Sequence, residues 1–240
     1  MDGMASEKPR GLLTVPRFAE IPFLVHGFGD SHWTEKDFKK ARCRERFQPL
    51  ILNQVHSDIV QVVDRPLAGR RTRLQGDGLI SAEPFLLLII KTADCLPVLL
   101  ADEKRRVVAA VHCGWRSTAK KILERAVGLM ASRFGSKPSA ILAALGPCIG
   151  AGCYEVGEDV RSEFAGPEFP SGIFRPHREK AGKYLLDLKE ANRSLLLRLG
   201  VERDNIFSVE ACTYCDGGFL SYRRDRNQSA RMVSFIGLIA

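Results

Sequence analysis

The chain has 240 residues, 45% of them hydrophobic, a formal net charge of +8 and seven cysteines. That is enough apolar material for one ordinary globular core without covalent staples. The longest apolar run, Phe85 to Ile90, is strand-sized, far below the roughly 20 residues that a membrane helix needs.

The first ten residues carry no apolar secretory segment and read as disordered, with residues 11–240 as one domain. Without a signal, an odd cysteine count points to free thiols in a cytoplasmic, reducing compartment. Strands are expected at Leu50–His56 and Ile59–Val63, from their β-rich composition. Phe85–Ile90 reads as a strand buried on both faces, and Arg106–His112 holds another. A helix is expected to open at Ser117 or Thr118, with Ala119, Ile122, Leu123, Ala126, Val127 and Met130 along one face. A shorter helix follows Gly157, and Ala165–Lys180, rich in Pro, Gly and charge, reads as a long loop. The next helix opens at Asp187, carries the stripe Leu188, Ala191, Leu195, Leu196 and Leu199, and stops at Gly200. Ile206–Val209 and Met232–Leu238 complete the strands. Strands outnumber helices and do not alternate strictly with them. The expected class is therefore α+β, a layered arrangement of mixed β-sheets flanked by helices, not a Rossmann fold.

Three segments share one layout, in which an apolar strand ends in a metal-capable side chain: His56, Cys95 and His112. Two imidazoles and a thiolate suit zinc, with the fourth position open to water or substrate. The same residues admit other chemistry. Cys95 with His112 as base would make a cysteine hydrolase or deamidase. Two His and one Cys also occur in copper sites, although a multicopper oxidase needs more than the five histidines present. A non-enzymatic binding module is the fourth reading, and the open ligand position argues against it. Asp94 is a candidate acid/base or a partner orienting a ligand histidine. Arg116, expected just before a helix N-terminus, suits an anion. Asn53 and Gln54 can bond a base or ribose, and Asp77, between two glycines, can bind substrate or make a turn.

Cys212-Thr213-Tyr214-Cys215 looks like half a zinc ribbon or a redox pair, but no second CxxC accompanies it, and it is not expected to hold zinc. Cys148 and Cys153 lack the His-x-Glu partner of a cytidine-deaminase-type site. The basic clusters Arg70–Arg73, Arg105-Arg106 and Arg223–Arg226 have no interleaved aromatics, so neither a nucleic acid nor a membrane is an expected partner.

The literal strings resemble the YfiH family, also described as laccase-like multicopper polyphenol oxidases and as bacterial purine nucleoside phosphorylases. They are Asn-Gln-Val-His at 53–56, Gly-Asp-Gly-Leu-Ile at 76–80, Thr-Ala-Asp-Cys-x-Pro at 92–97 and His-x-Gly-Trp-Arg at 112–116. Leu-Gly-Pro-x-Ile at 145–149 with Tyr154 behind it, Cys212-Thr213 and Ser-Tyr-Arg-Arg at 221–224 follow in the family's order. The resemblance implies zinc on His56, Cys95 and His112. It implies phosphorolysis of adenosine, inosine, guanosine and methylthioadenosine, with purine nucleoside and phosphate as partners and adenosine deamination as a side activity. Asp94 and Arg116 are then the catalytic candidates, and Asn53, Gln54, Asp77, Lys91 and Arg223 the substrate-binding ones. The chain departs from the pattern after His26-Gly27-Phe28, where Gly29-Asp30-Ser31 replaces the usual Thr-Arg-x-Gly-Gly. A substrate or phosphate contact from that Arg is not expected here.

Overall fold

A computed structural model describes residues 11–40, 46–63, 74–226 and 230–240. The expected disorder of residues 1–10 and the Arg70–Arg73 cluster lie outside these residues. In chain order the strands are β1 (Leu12–Leu13), β2 (Leu24–Gly29), β3 (Gln48–Ile51), β4 (Val60–Val62), β5 (Gly78–Ser81), β6 (Leu86–Thr92) and β7 (Leu96–Asp102). They continue as β8 (Val107–Cys113), β9 (Ile141–Leu145), β10 (Glu155–Gly157), β11 (Phe174–Pro176), β12 (Lys183–Leu186), β13 (Ile206–Ser208) and β14 (Met232–Leu238). The helices are α1 (Pro16–Ala19), α2 (Glu35–Lys40), α3 (Trp115–Ala119), α4 (Ile122–Phe134), α5 (Glu158–Ser162), α6 (Leu188–Arg198) and α7 (Tyr222–Asp225).

Two large mixed sheets stack face to face. One has the order β1-β2-β14-β6-β3, the other β13-β9-β7-β8-β5-β4, and a small third sheet has the order β10-β12-β11. The alternation of side chains along a strand explains why the central strands are apolar throughout. Leu86, Leu88 and Ile90 of β6 enter the core between the sheets, against Leu99 of β7 and Ala110 of β8. Leu87 and Ile89 point the other way, onto Phe38 of α2 and Phe47. The opposite faces of β7 and β8, including Val98, Leu100, Ala109 and Val111, pack under α4 and α6. The result is the expected mixed-sheet domain flanked by helices.

Several expectations are corrected. The strand expected at Leu50–His56 ends at Ile51, as β3, so His56 stands in an irregular loop rather than at a strand end. That loop is tied in by backbone pairing of Asn53 with Gln75. The helix placed at Ser117 begins two residues earlier, with Gly114 as its cap. It is also broken, because Lys121 takes a left-handed conformation (φ 60°) before α4. Ser117 and Thr118 are buried inside α3, where the Thr118 hydroxyl pairs with Asn192 of α6. Arg116 therefore sits within a helical turn and not ahead of one. The segment expected as a loop, 165–180, contains β11, which adds to β12 in antiparallel register. The helix at Asp187 forms as read, the Asp187 carboxylate capping it by accepting from the Glu190 amide.

Candidate metal centre

The site lies where the two large sheets are joined. β6 belongs to one sheet and β7 to the other, and three residues, Ala93, Asp94 and Cys95, carry the chain across. So tight a crossing needs an unusual backbone, and Asp94 takes it at φ 88°. His56 is also left-handed, at φ 57°. Such conformations cost about 1–3 kcal/mol each and persist where surrounding structure enforces them. His112 comes from the last turn of pleat in β8, beside the β7 start.

The three side chains converge. The candidate ligand atoms of His56, Cys95 and His112 lie within 4.8 Å of one another. His56 Nε2 is 3.9 Å from Cys95 Sγ, and the two imidazole rings meet edge to face at 4.9 Å. Gly114 makes room: a Cβ there would stand 2.9 Å from the His56 ring and 3.2 Å from the Cys95 sulfur.

Asp77 organises the set. Its carboxylate is fully buried and accepts from His112 Nδ1 at 2.8 Å. It also accepts from the backbone N–H of Val55, His56 and Ser57, at 3.2, 3.0 and 2.6 Å. One carboxylate thus fixes the loop that carries His56 and leaves Nε2 of His112 as its free donor atom. Burial alone would raise the Asp77 pKa, but the bonds from His112 and Ser57 bring it down to about 2. Burial likewise opposes ionisation of Cys95, yet the charge and hydrogen bonding of His112 and His56 lower its thiol to about 6. His112 moves the other way, to about 9, because Cys95 and Asp77 outweigh its burial. A thiolate and two imidazoles, one steered by a carboxylate, match the donor set of a catalytic zinc position. A metal ion there would compete with protons, so its affinity rises as pH increases through this range.

A cavity of about 1360 Å³ opens over the cluster and is lined by Asn53, Gln54, Lys91, Asp94, Trp115, Arg116, Tyr154 and Arg223, among others. The structure sorts these residues. The Gln54 amide is spent on the Lys91 backbone, donating to its carbonyl and accepting from its N–H, both at 2.8 Å. Asp94 does not orient a ligand histidine. Its oxygens accept from the Thr213 hydroxyl at 2.7 Å and the Arg223 N–H at 2.6 Å. The orienting carboxylate is Asp77, which does not reach the cavity. Asn53 is exposed at the rim. Arg223 donates to the Glu155 carbonyl at 2.8 Å and lies over the Tyr154 ring. Its neighbour Arg224 is consumed by the carbonyls of Thr213, Tyr214 and Phe219. Arg116 stacks on Trp115, 4.2 Å from the ring centroid, and has no ion pair among the described residues. Lys91 is paired with Glu35 at 3.4 Å. Tyr154, marked in the sequence only by its place behind Leu-Gly-Pro-x-Ile, is brought by packing into the cavity wall.

Residues 34–239 match the model of the multi-copper polyphenol oxidoreductase laccase family. The chain belongs to this family. A curated relative from Deinococcus radiodurans, named purine nucleoside phosphorylase, is 44% identical over 78% of this chain and 69% of its own length. The Escherichia coli relative named purine nucleoside phosphorylase YfiH is 40% identical over 80% of this chain and 74% of its own. Among solved structures, YlmD from Geobacillus stearothermophilus superposes with a TM-score of 0.83 at 31% identity, covering 98% of both chains. YfiH from Bacillus licheniformis gives 0.85 at 30% identity, over 95% of this chain and 96% of its own. The laccase-like family thus includes relatives that carry a phosphorylase name.

Proposed function

We propose that this chain is a purine nucleoside phosphorylase that uses zinc held by His56, Cys95 and His112. One observation carries the reading: a single cavity is lined both by the three-donor cluster and by Arg116 and Arg223. Phosphorolysis requires an anion beside the anomeric carbon, and a cation already balanced by a carboxylate serves it poorly. Arg116 has no such partner among the described residues. Its planar fork can take two phosphate oxygens, while Trp115 supports its face. Arg223 is steadied through the Glu155 carbonyl and Asp94, and adds positive charge to the cavity lining. Asn53, at the rim, can bond the sugar or the base. The bound ion supplies Lewis acidity at the site. No helix among the described residues is long and apolar enough to cross a membrane. The six described cysteines are all free thiols, which supports a reducing, cytoplasmic setting.

The remaining histidines favour zinc over a multicopper centre. His26 is buried and accepts from the Val15 amide, His32 lies on the surface beside Asp30, and His177 pairs with Glu155. Only two of five are left for a metal. A second reading, a cysteine hydrolase, draws on the lowered Cys95 thiol. A zinc-bound thiolate is a poor nucleophile, so metal analysis separates the two. The phosphorylase reading is tested by varying phosphate at fixed inosine. Saturable dependence of hypoxanthine release on phosphate is expected, and a rate independent of phosphate overturns it.

A further inference from the structure

A second group of donors stands outside the cavity. The sulfurs of Cys153, Cys212 and Cys215 lie within 4.8 Å of one another, and those of Cys153 and Cys215 are 3.0 Å apart across 62 residues of chain. The sequence supplied the Cys212-x-x-Cys215 half of this group and no visible complement. The missing donor comes from a different turn, the one that leads into β10.

Backbone pairing brings the two turns together. Cys148 and Cys212 form a parallel bridge, and the Thr213 amide donates to the Cys148 carbonyl at 3.0 Å. The Asp216 amide returns to the Cys212 carbonyl at 3.0 Å and folds Cys215 back over Cys212. Gly150 donates its N–H to Cys212 Sγ at 3.1 Å. A Cβ at Gly150 would lie 3.1 Å from the same sulfur, so glycine is what lets the backbone close on it.

Core packing does not account for these thiols. Unpaired cysteines usually behave as small buried hydrophobes, as Cys113 and Cys148 do here. Cys215 is exposed and its two companions are half-buried. Three converging sulfurs, one of them already accepting a backbone N–H, form a soft donor set that selects thiophilic ions. Zinc–sulfur bonds of about 2.3 Å at tetrahedral angles hold sulfurs about 3.8 Å apart. The separations here, 3.0 Å between Cys153 and Cys215 and none beyond 4.8 Å, bracket that spacing. Partial exposure leaves a fourth position for water.

We propose that Cys153, Cys212 and Cys215 form a second metal site, for zinc. Its ion clamps the turn running into Tyr154 to the turn carrying Thr213, whose hydroxyl holds Asp94. The site thus braces two parts of the cavity wall without touching substrate. It stands independently of the nucleoside reading, because it shares no donor with His56, Cys95 or His112.

The test is zinc stoichiometry by mass spectrometry on full-length protein, loaded with Zn²⁺ under reductant and desalted. The wild-type chain should hold about two equivalents, Cys95→Ala about one, Cys153→Ser with Cys215→Ser about one, and the three changes together about none. One equivalent in the wild type, or an unchanged content in the double serine variant, overturns the proposal. Cys215 is exposed, so Cys215→Ser alone is compatible with folding. In competition with a chromogenic chelator its second equivalent should bind at least tenfold more weakly, and an unchanged affinity also overturns it. Zinc should shield Cys215 from iodoacetamide, read by peptide mass. Equal alkylation with and without zinc contradicts the site.

Discussion

Asp77 shows how much one residue can hold. Its carboxylate fixes the ring of one candidate ligand and the backbone of another, through His112 Nδ1 and the His56 N–H. Asp77→Asn keeps the shape but offers a weaker acceptor, so zinc affinity at the first site should fall by roughly 10- to 100-fold. Competitive chelator titration reads this, and an unchanged affinity contradicts the role. The sequence placed Asp77 between two glycines and allowed a turn or a substrate contact. Its true partner is 35 residues away, and no local pattern reveals such a pairing. The partners of Asp94 are equally hidden from local pattern: Thr213 and Arg223 lie 119 and 129 residues on. The proposed anion binding rests on Arg116, which lines the cavity. Arg116→Ala should raise the phosphate KM about tenfold to a hundredfold, the loss of about 1.5–3 kcal/mol expected for a charge-assisted bond. The nucleoside KM should move less. Arg116→Lys should recover only part, since the planar fork is lost. Steady-state kinetics with each substrate varied in turn decides it; an equal rise in both constants contradicts the assignment.

The crossing from β6 to β7 and the junction from β8 to α3 carry the candidate site, and they differ in how far local pattern reveals them. The apolar run of β6 was plain, because its alternate residues fill two cores. β7 was missed, since Pro97 near its start argues against a strand. β9, Ile-Leu-Ala-Ala-Leu, was missed because its composition favours helix as much as strand. Tertiary pairing to β7 decides it. The broken helix was missed because the apolar stripe continues across Lys120 and Lys121 while the backbone does not. Packing and site geometry are separable at these elements. Leu88→Ala, in the inter-sheet core, should destabilise by about 2–5 kcal/mol. Denaturant melts measure that, and a change below 1 kcal/mol would contradict the two-sided burial of β6. Gly114→Ala sits in an extended conformation open to alanine (φ −74°, ψ 168°), but its methyl meets His56 and Cys95. It should weaken zinc binding while the melt changes little. Full zinc affinity in that variant would refute the cradle.

The two stacked sheets share one buried core, so a titrating group inside it can make the stability of the chain depend on pH. His26 of β2 is buried against Phe18 and accepts from the Val15 amide at 2.9 Å, which requires an unprotonated Nε2. Burial lowers its pKa from 6.5 to about 4. Between those values the unfolded chain binds the proton and the folded chain does not. Stability from this group is therefore complete above pH 6.5 and falls as pH drops toward 4, by at most about 1.4 kcal/mol per unit. His26→Gln keeps an acceptor without the titration, so its Tm should decline less than that of the wild type between pH 7.5 and 5. Parallel declines would contradict the linkage. The stacked sheets, the crossing loop and the cavity serve one central claim, that phosphate attacks the sugar where the cations and the metal donors meet. ³¹P NMR of the product formed from inosine in phosphate buffer tests it most directly. Ribose 1-phosphate is expected, formed in equal amount to hypoxanthine and absent from the His112→Ala variant. Free ribose, or ammonia without base release, would contradict it.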